Sequence, residues 1–228
     1  MPDEQFKPSE SEVQSGILEM GSVTVRGPKA AIHCLTIIGQ IEGHQLLPQN
    51  AKTTKYEHVL PQLAAIEESP DIQGLLILLN TVGGDIEAGL AIAELIRGLS
   101  TPSVSLVLGG GHSIGVPMAV AARVSMIAPS AAMTIHPVRM NGTVLGVAQT
   151  FTYLRKVQER IVRFVAQNSK VREEDYLALM HRNDELAGDM GSVIHGAEAV
   201  ELGLIDRLGT LSEALAELHR MIEAGSPA

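Results

Sequence analysis

The sequence contains few aromatic residues, a single cysteine and no cluster of basic residues. Aromatic residues make up 3% of the 228-residue chain and tryptophan is absent. The small and aliphatic residues that remain suit helix–sheet packing and backbone-lined sites better than sites that stack sugars or bases. The lone cysteine, Cys34, excludes an internal disulfide and fits a reducing compartment. A net charge of −9 without a basic patch argues against nucleic acid as a partner.

Long apolar runs are also missing. The most apolar stretch, residues 104–122, is interrupted by Gly109-Gly110-Gly111, His112 and Pro117, and no stretch reaches the roughly 20 residues that cross a bilayer. Residues 1–19 are polar and acidic and lack the layout of a signal peptide. We therefore expect a cytoplasmic protein without a membrane span, with a flexible N-terminal arm over residues 1–21 and a single domain over residues 22–228.

Short apolar runs alternate with amphipathic helical patterns along the rest of the chain. This alternation predicts a layered α/β fold of βαβ units with right-handed crossovers. Capping boxes at residues 54–57 and 210–213 predict the starts of two helices, and Asp85 is placed to cap a third. The predicted strands cover residues 35–38, 75–79, 104–108, 124–127, 133–135 and 204–206, and the predicted helices cover about residues 54–68, 86–99, 113–123 and 147–168, with a last helix after Thr210.

The segment Gly111-His112-Ser113-Ile114-Gly115 has the pattern G-x-S-x-G. It lies between a predicted strand and a predicted helix, where a tight turn holds a serine hydroxyl above the sheet. Amides at the start of the following helix point at the same place and stabilise an oxyanion. Ser113 is therefore the candidate nucleophile. The other interpretation of so short a motif is a structural glycine-rich turn.

A serine nucleophile needs a neighbouring base. Of the eight histidines, His136 directly follows a predicted strand, at the rim of an α/β sheet where sites form, although a structural role is the other interpretation. His112 adjoins the serine, but neighbours across a tight turn usually point apart. The carboxylate that orients the imidazole should come from Asp184, Asp189 or Asp206. Asp189 lies in a predicted loop and is the chosen candidate, whereas Asp206 ends a predicted strand.

A second glycine-rich loop, residues 81–85, also follows a buried strand and precedes a helix. Two such loops that face each other across a cleft predict an oxyanion hole made by the backbone amides of Gly84 and Ile114. The other interpretation of this loop is a plain turn at the start of a helix.

Nucleotide and metal sites are not indicated. The dinucleotide pattern G-x-G-x-x-G fails at Ile114, no acidic residue follows near the next strand end, and the Walker motif G-K-[ST] is absent. Neither an H-E-x-x-H motif nor paired cysteines suggests zinc. We therefore predict neither a cofactor nor a metal ion.

Four segments together resemble the proteolytic subunit family of Clp proteases, over about residues 33–210. LNTVGG at residues 79–84 resembles the family's N-S-P-G-G segment, and GHSIG at 111–115 falls where the family carries its nucleophile. TIHP at 134–137 resembles its histidine motif, and EAVELGLID at 198–206 resembles its E-A-x-x-Y-G-L-I-D segment. The order serine, histidine, aspartate is also the family's. The nearest likeness is to the translocation-enhancing branch, which is linked to protein export.

The resemblance implies the ClpP/crotonase fold and a serine peptidase that cleaves peptides or unfolded polypeptides through an acyl-enzyme. Ser113 and His136 are then the nucleophile and base of a catalytic triad. Asp189 is the candidate for its acid, although the family's aspartate would fall at Gly191, two residues further on. Gly84 and Ile114 are the corresponding donors of the oxyanion hole.

The resemblance also implies homo-oligomeric rings whose active sites face an inner chamber. The long helix at residues 147–168 is then the handle that joins two rings; otherwise its apolar stripe belongs to the core. The N-terminal arm does not match the family's axial loop, which argues against an ATP-driven unfoldase as partner.

The sequence departs from the family's pattern beside both the serine and the histidine. His112 and Ile114 flank the serine where the family has alanine and methionine, and Pro137 replaces a glutamine after the histidine. Two alternatives to the peptidase therefore stay open. One is a non-catalytic Clp-like ring or scaffold, and the other is a crotonase-type enzyme acting on acyl-CoA, which needs no Ser–His pair.

Overall fold

A mostly parallel sheet organises the chain. The computed structural model describes residues 21–140, 142, 146–183 and 190–225. The strands within these ranges are β1 (Ser22–Arg26), β2 (Ala31–Glu42), β3 (Thr53–Lys55), β4 (Gly74–Gly84), β5 (Ser103–Gly111), β6 (Val124–Ile127), β7 (Ala132–Ile135), β8 (Ser192–His195) and β9 (Arg207–Leu208). They pair in the order β1-β2-β4-β5-β6-β9, with β3 beside β2, and with β7 beside β5 and β8. The pairings β1–β2 and β7–β8 are antiparallel.

Helices cover the sheet on both faces. They are α1 (Tyr56–Glu68), α2 (Ile86–Gly98), α3 (Gly115–Val120), α4 (Val147–Gln167), α5 (Glu173–Met180), α6 (Gly196–Glu201) and α7 (Leu211–Gly225). Strands alternate with helices from β3 to β6, and the strand pairings among β2, β4, β5 and β6 are all parallel. The predicted α/β fold of βαβ units is therefore confirmed.

The central strands are apolar on both sides. In β4, Leu75, Ile77 and Leu79 join the larger apolar cluster, together with buried residues of α1, α2, α3 and α4. Leu76 points to the opposite face and joins the smaller cluster beneath α7, which includes Leu218 and Ile222. Strands that are buried on both faces read as continuous apolar runs, which explains why the run at residues 75–79 predicted this strand correctly.

The predicted capping box at residues 54–57 is wrong, although α1 ends at Glu68 as expected. Thr54 lies in β3, where its hydroxyl accepts from the Ile38 amide at 2.8 Å and donates to the Ile38 carbonyl at 2.9 Å. Its side chain is therefore committed to the sheet. Helix α1 begins at Tyr56, and the residue before it, Lys55, makes no side-chain cap.

The predicted strand at residues 204–206 is also wrong. The amides of Leu204 and Ile205 both donate to the Ala199 carbonyl, which closes the turn after α6. Strand β9 follows two residues later at Arg207–Leu208. The capping box after it is confirmed, since the Thr210 amide and hydroxyl both donate to the Glu213 carboxylate at 2.8 Å.

The short elements β1, β3, α5, β8 and α6 were not predicted, and the arm at residues 1–20 lies outside the described residues. Helix α4 ends one residue before its predicted end. Of the helices described, none is long and apolar enough to cross a membrane.

Replacing Asp85 tests the cap that begins α2. Its carboxylate accepts from the Ala88 amide at 2.9 Å, so we expect Asp85→Ala to lower the free energy of unfolding by about 1 kcal/mol, measured in urea. Asp85→Asn is the control, because asparagine caps helices equally well. Equal stability of the alanine variant and the wild type would contradict this role.

Candidate active site

The site is built where β4 and β5 end side by side. The two strands are parallel, so their carboxyl ends lie at the same edge of the sheet, and Thr81 is in register with Gly111. The glycine-rich segments after residues 79 and 108 were predicted as loops, but the strands continue through both, to Gly84 and Gly111. Pairing across the sheet therefore extends as far as the candidate site.

Ser113 occupies a sharp turn between β5 and α3. Its φ is +57°, and it is the only non-glycine residue with a positive φ in the part of the chain that the structure describes. Such a conformation costs about 1–3 kcal/mol and persists where the surroundings impose it. Two hydrogen bonds do so: the Ser113 amide donates to the Thr134 carbonyl at 2.8 Å, and the His112 amide donates to the Thr81 carbonyl at 3.1 Å. The helix predicted from Ser113 begins at Gly115 for this reason.

Glycines of the β4 end leave room for this turn. Gly83 has a φ of +88°, and a Cβ added to it would lie 2.7 Å from Ser113 Cβ. Gly84 has a φ of +151°, and its Cβ would meet the backbone of Ile41 in β2. The two predicted glycine-rich segments therefore contact each other directly, as the prediction of a shared cleft requires.

One backbone amide in the turn is left without a backbone partner. From His112 to Val116, every amide but that of Ile114 donates to a backbone carbonyl, within the part of the chain described. The Ile114 side chain packs against Gly89 of α2, where any Cβ would clash with it. Ile114 and Gly84 both line the small cavity beside Ser113.

His136 lies directly after β7, which pairs with β5. Its Nδ1 is 2.7 Å from the Pro137 carbonyl oxygen. A carbonyl can only accept, so Nδ1 is the donor in this pair, and in the neutral ring Nε2 is then the nitrogen with the lone pair. Among the described contacts, Ser113 and His136 are not hydrogen-bonded to each other; catalytic bonds of this kind often tighten only when substrate binds.

Ser113 and His136 line one cavity of about 120 Å³. The structure therefore brings together four of the five predicted site residues, namely Ser113, His136, Gly84 and Ile114. The remainder of the lining consists of Ile86, Ile135, Pro137, Val138, Arg139, Ile161, Tyr176 and Met180. None of the described residues that line it is an aspartate or a glutamate.

His112 points away from the serine, as predicted. Its ring lies over Gly110, where any Cβ would clash with it, and its Nδ1 pairs with the Thr134 hydroxyl at 2.8 Å. Burial lowers the pKa of His112, which favours the neutral ring. The same residue, Thr134, thus holds the ring of His112 and, through its carbonyl, the amide of Ser113.

The acidic candidates have separate outcomes. Asp184 and Asp189 lie outside the described residues, so Asp189 stays a prediction. Asp206 is committed elsewhere: its carboxylate accepts from the amide and hydroxyl of Ser125 at 3.0 and 3.1 Å, and pairs with Lys170 at 3.1 Å. Burial alone would raise the pKa of Asp206, but these hydrogen bonds hold it below its ordinary value.

Sequence reasoning missed Tyr176 and Gln158. Tyr176 is 1% exposed and lines the cavity from α5, and burial raises the pKa of its phenol, so the hydroxyl stays protonated. The three acidic residues of the first turn of α5 were an available signal for this helix. Gln158 of α4 accepts from the Val138 amide at 3.3 Å, and only the tertiary fold reveals that contact.

No group of three or more histidine, cysteine, aspartate or glutamate side chains is placed to hold a metal ion in the described ranges.

Known proteins of one family are similar to this chain. The model of the Clp protease family matches residues 29–211. The chain is 53% identical over 226 residues to the translocation-enhancing protein TepA of Halalkalibacterium halodurans, covering 97% of this chain and 88% of that protein. It is 28% identical over 118 residues to the ATP-dependent Clp protease proteolytic subunit of Streptococcus pyogenes, covering 49% of this chain and 60% of that protein. The ATP-dependent Clp protease proteolytic subunit of Streptococcus pneumoniae is 26% identical over 157 residues, covering 66% of this chain and 76% of that protein.

Gly83→Ala should disturb the serine without unfolding the protein. The added methyl group meets Ser113 Cβ and occupies a disfavoured φ, so we expect modification of Ser113 by a fluorophosphonate to slow by about tenfold or more. Gly98→Ala is the control, because a Cβ there meets no atom within 4 Å. Equal labelling rates of Gly83→Ala and wild type would show that the two loops do not constrain each other.

Asp206→Ala should reduce stability and leave labelling of Ser113 unchanged. We expect the free energy of unfolding to fall by about 1 kcal/mol. Most of this comes from the hydrogen bonds to Ser125, because the exposed ion pair with Lys170 adds little. Because the pKa of Asp206 is lowered in the folded state, its contribution is present above the unfolded-state pKa and is lost as the pH falls through the folded-state value.

The measurement for Asp206 is urea unfolding of variant and wild type at several pH values. The difference in the free energy of unfolding between Asp206→Ala and the wild type should become smaller below about pH 4. Asp71→Ala, which removes an exposed carboxylate paired with Arg26, is the control. A fall in Ser113 labelling in Asp206→Ala would instead place this residue in the catalytic machinery.

Proposed function

Because the chain belongs to the Clp protease family, we propose that it is a serine peptidase with Ser113 as nucleophile and His136 as base. The observation that carries this proposal is the shared cavity: a serine on a strained turn lies beside a histidine whose Nε2 is free to take a proton. A purely structural glycine-rich turn has no need of a strained serine next to such a histidine. The resemblance inferred from four motifs and the predicted fold are both confirmed by the family match.

The proposed reaction follows the acyl-enzyme route. Ser113 Oγ attacks the carbonyl carbon of the peptide bond while its proton moves to His136 Nε2. The carbonyl oxygen becomes an oxyanion, which accepts from the backbone amides of Gly84 and Ile114. The C–N bond then breaks, and His136 returns its proton to the leaving amine. Water repeats the sequence on the ester, releases the acid product and restores the serine.

The cavity also supports an expectation about the substrate. Its volume of about 120 Å³ limits the side chain next to the cleaved bond to a small or medium one, and the aliphatic residues Ile86, Ile135 and Ile161 in its lining can contact an apolar group. Peptides and unfolded polypeptides present such side chains. Asp189 stays the predicted third member of the triad.

The first half of α4 supports assembly into homo-oligomeric rings. Val147, Phe151 and Tyr153 are 78, 68 and 58% exposed, whereas the apolar residues of the second half of the helix, from Val157 to Val165, are buried in the core. The apolar stripe thus serves as core over one half and remains uncovered over the other. We propose a second copy of this chain as the partner of the exposed half.

The relative named as a translocation-enhancing protein supports a link between the peptidase and protein translocation. Polypeptides presented for translocation are unfolded, as the proposed substrates are. The link to export is therefore part of the proposal.

Reaction of Ser113 with a fluorophosphonate probe tests the proposed function. We expect covalent modification at Ser113, read by mass spectrometry of the labelled peptide, in protein whose assembly has been verified by light scattering. Ser113→Ala should abolish labelling because it removes the nucleophile, and His136→Gln should lower it by at least about 10³-fold because it removes the base. Ser169→Ala is the control, since that hydroxyl donates to the Val165 carbonyl within the core.

Absence of labelling in correctly assembled protein would contradict the peptidase. A non-catalytic ring or scaffold would then explain the fold. Binding of an acyl-CoA thioester would indicate the crotonase-type alternative.

A further inference from the structure

The base of the proposed site is oriented by a backbone carbonyl. His136 Nδ1 donates to the Pro137 carbonyl at 2.7 Å, on the ring nitrogen that a carboxylate contacts in a Ser–His–Asp triad. This bond orients the ring and selects the tautomer in which Nε2 carries no proton.

The same peptide unit is held at its other end by α4. The Val138 amide, which belongs to the Pro137–Val138 peptide, donates to Gln158 Oε1 at 3.3 Å. Gln158 is half-buried, between Val157 and Ile161, which anchor this part of α4 in the core. The chain of contacts therefore runs from a rigid helix through one peptide plane to the imidazole.

The local sequence adds two backbone restraints to this arrangement. Proline fixes its own φ near −65°, and the residue before a proline is confined to extended conformations. The peptide that carries the Pro137 carbonyl therefore has little freedom to rotate away from the His136 ring. Hydrogen bonds in such a chain also polarise one another, which strengthens the bond at the imidazole.

We propose that Gln158 is a positioning residue of the active site, which orients His136 through the Pro137–Val138 peptide. This inference rests on the proposed peptidase function. It makes the activity dependent on a side chain of α4. Gln158 touches neither the substrate nor the reacting atoms and acts only through the peptide that it holds.

The test compares the rates at which Ser113 reacts with a fluorophosphonate in a set of matched variants. Gln158→Met keeps the length of the side chain and removes the acceptor, so we expect the rate to fall about tenfold. Gln158→Glu restores an acceptor and should restore the rate. Gln167→Met, at the exposed end of the same helix, is the control for the substitution itself.

A spectroscopic measurement separates orientation from general damage. With ¹⁵N-labelled histidine, and with His136 assigned through His136→Gln, we expect a proton on Nδ1 in the wild type and in Gln158→Glu. In Gln158→Met that signal should broaden or shift while the folded spectrum is retained. An unchanged His136 signal in Gln158→Met would overturn the inference.

The outcomes distinguish this inference from the function on which it rests. Labelling of Gln158→Met at the wild-type rate would overturn the role of Gln158 and keep the peptidase. No labelling of Ser113 in the assembled wild type would overturn the peptidase itself. Labelling that falls in Gln158→Met and recovers in Gln158→Glu supports both.

Discussion

The parallel pairing of β4 with β5 is the constraint on which the site depends. It sets Thr81 opposite Gly111, and so places two glycine-rich strand ends at one edge of the sheet. The Thr81 carbonyl then accepts from His112, and the Thr134 carbonyl of β7 accepts from Ser113. Three strands thus fix one turn, and a shift of register would move Ser113 away from both His136 and Gly84.

The strained conformation of Ser113 is supported by the packing around it. Ile114 and Val116 are at most 1% exposed, and the sheet beneath them is apolar on both faces. A closely packed interior resists small displacements, so the turn cannot relax without disturbing its neighbours. The same close packing requires a glycine at position 83, because a side chain there would meet the serine.

The departures from the family's motifs have structural explanations in this chain. His112 replaces a small residue beside the serine, and its ring is accommodated over Gly110 and held by Thr134. Pro137 replaces a glutamine after the histidine, and its carbonyl accepts from His136. The chain retains the fold of the Clp protease family while altering the residues that adjoin the candidate nucleophile and base.

Signals confined to a few neighbouring residues determined much of this structure from the sequence alone. The buried runs of β4, β5 and β6, the Asp85 cap of α2, the Thr210 capping box and the G-x-S-x-G turn all depend on local spacing and burial. Local spacing was misleading at residues 54–57 and 204–206, where Thr54 bonds to β2 and where Leu204 and Ile205 close a turn on Ala199. In both cases a contact outside the window outweighed the local pattern.

The sequence by itself determined the α/β class and the family resemblance, and it predicted Ser113 and His136 as candidate nucleophile and base. Only the tertiary structure decided that these two residues share a cavity with Gly84, Ile114 and Tyr176, and that Gln158 holds the peptide after Pro137. The physical reason is distance along the chain. A cap or an apolar run is set by residues within one or two turns, whereas the cavity joins β4, β5, β7, α4 and α5, whose contacts exist only once the sheet has formed.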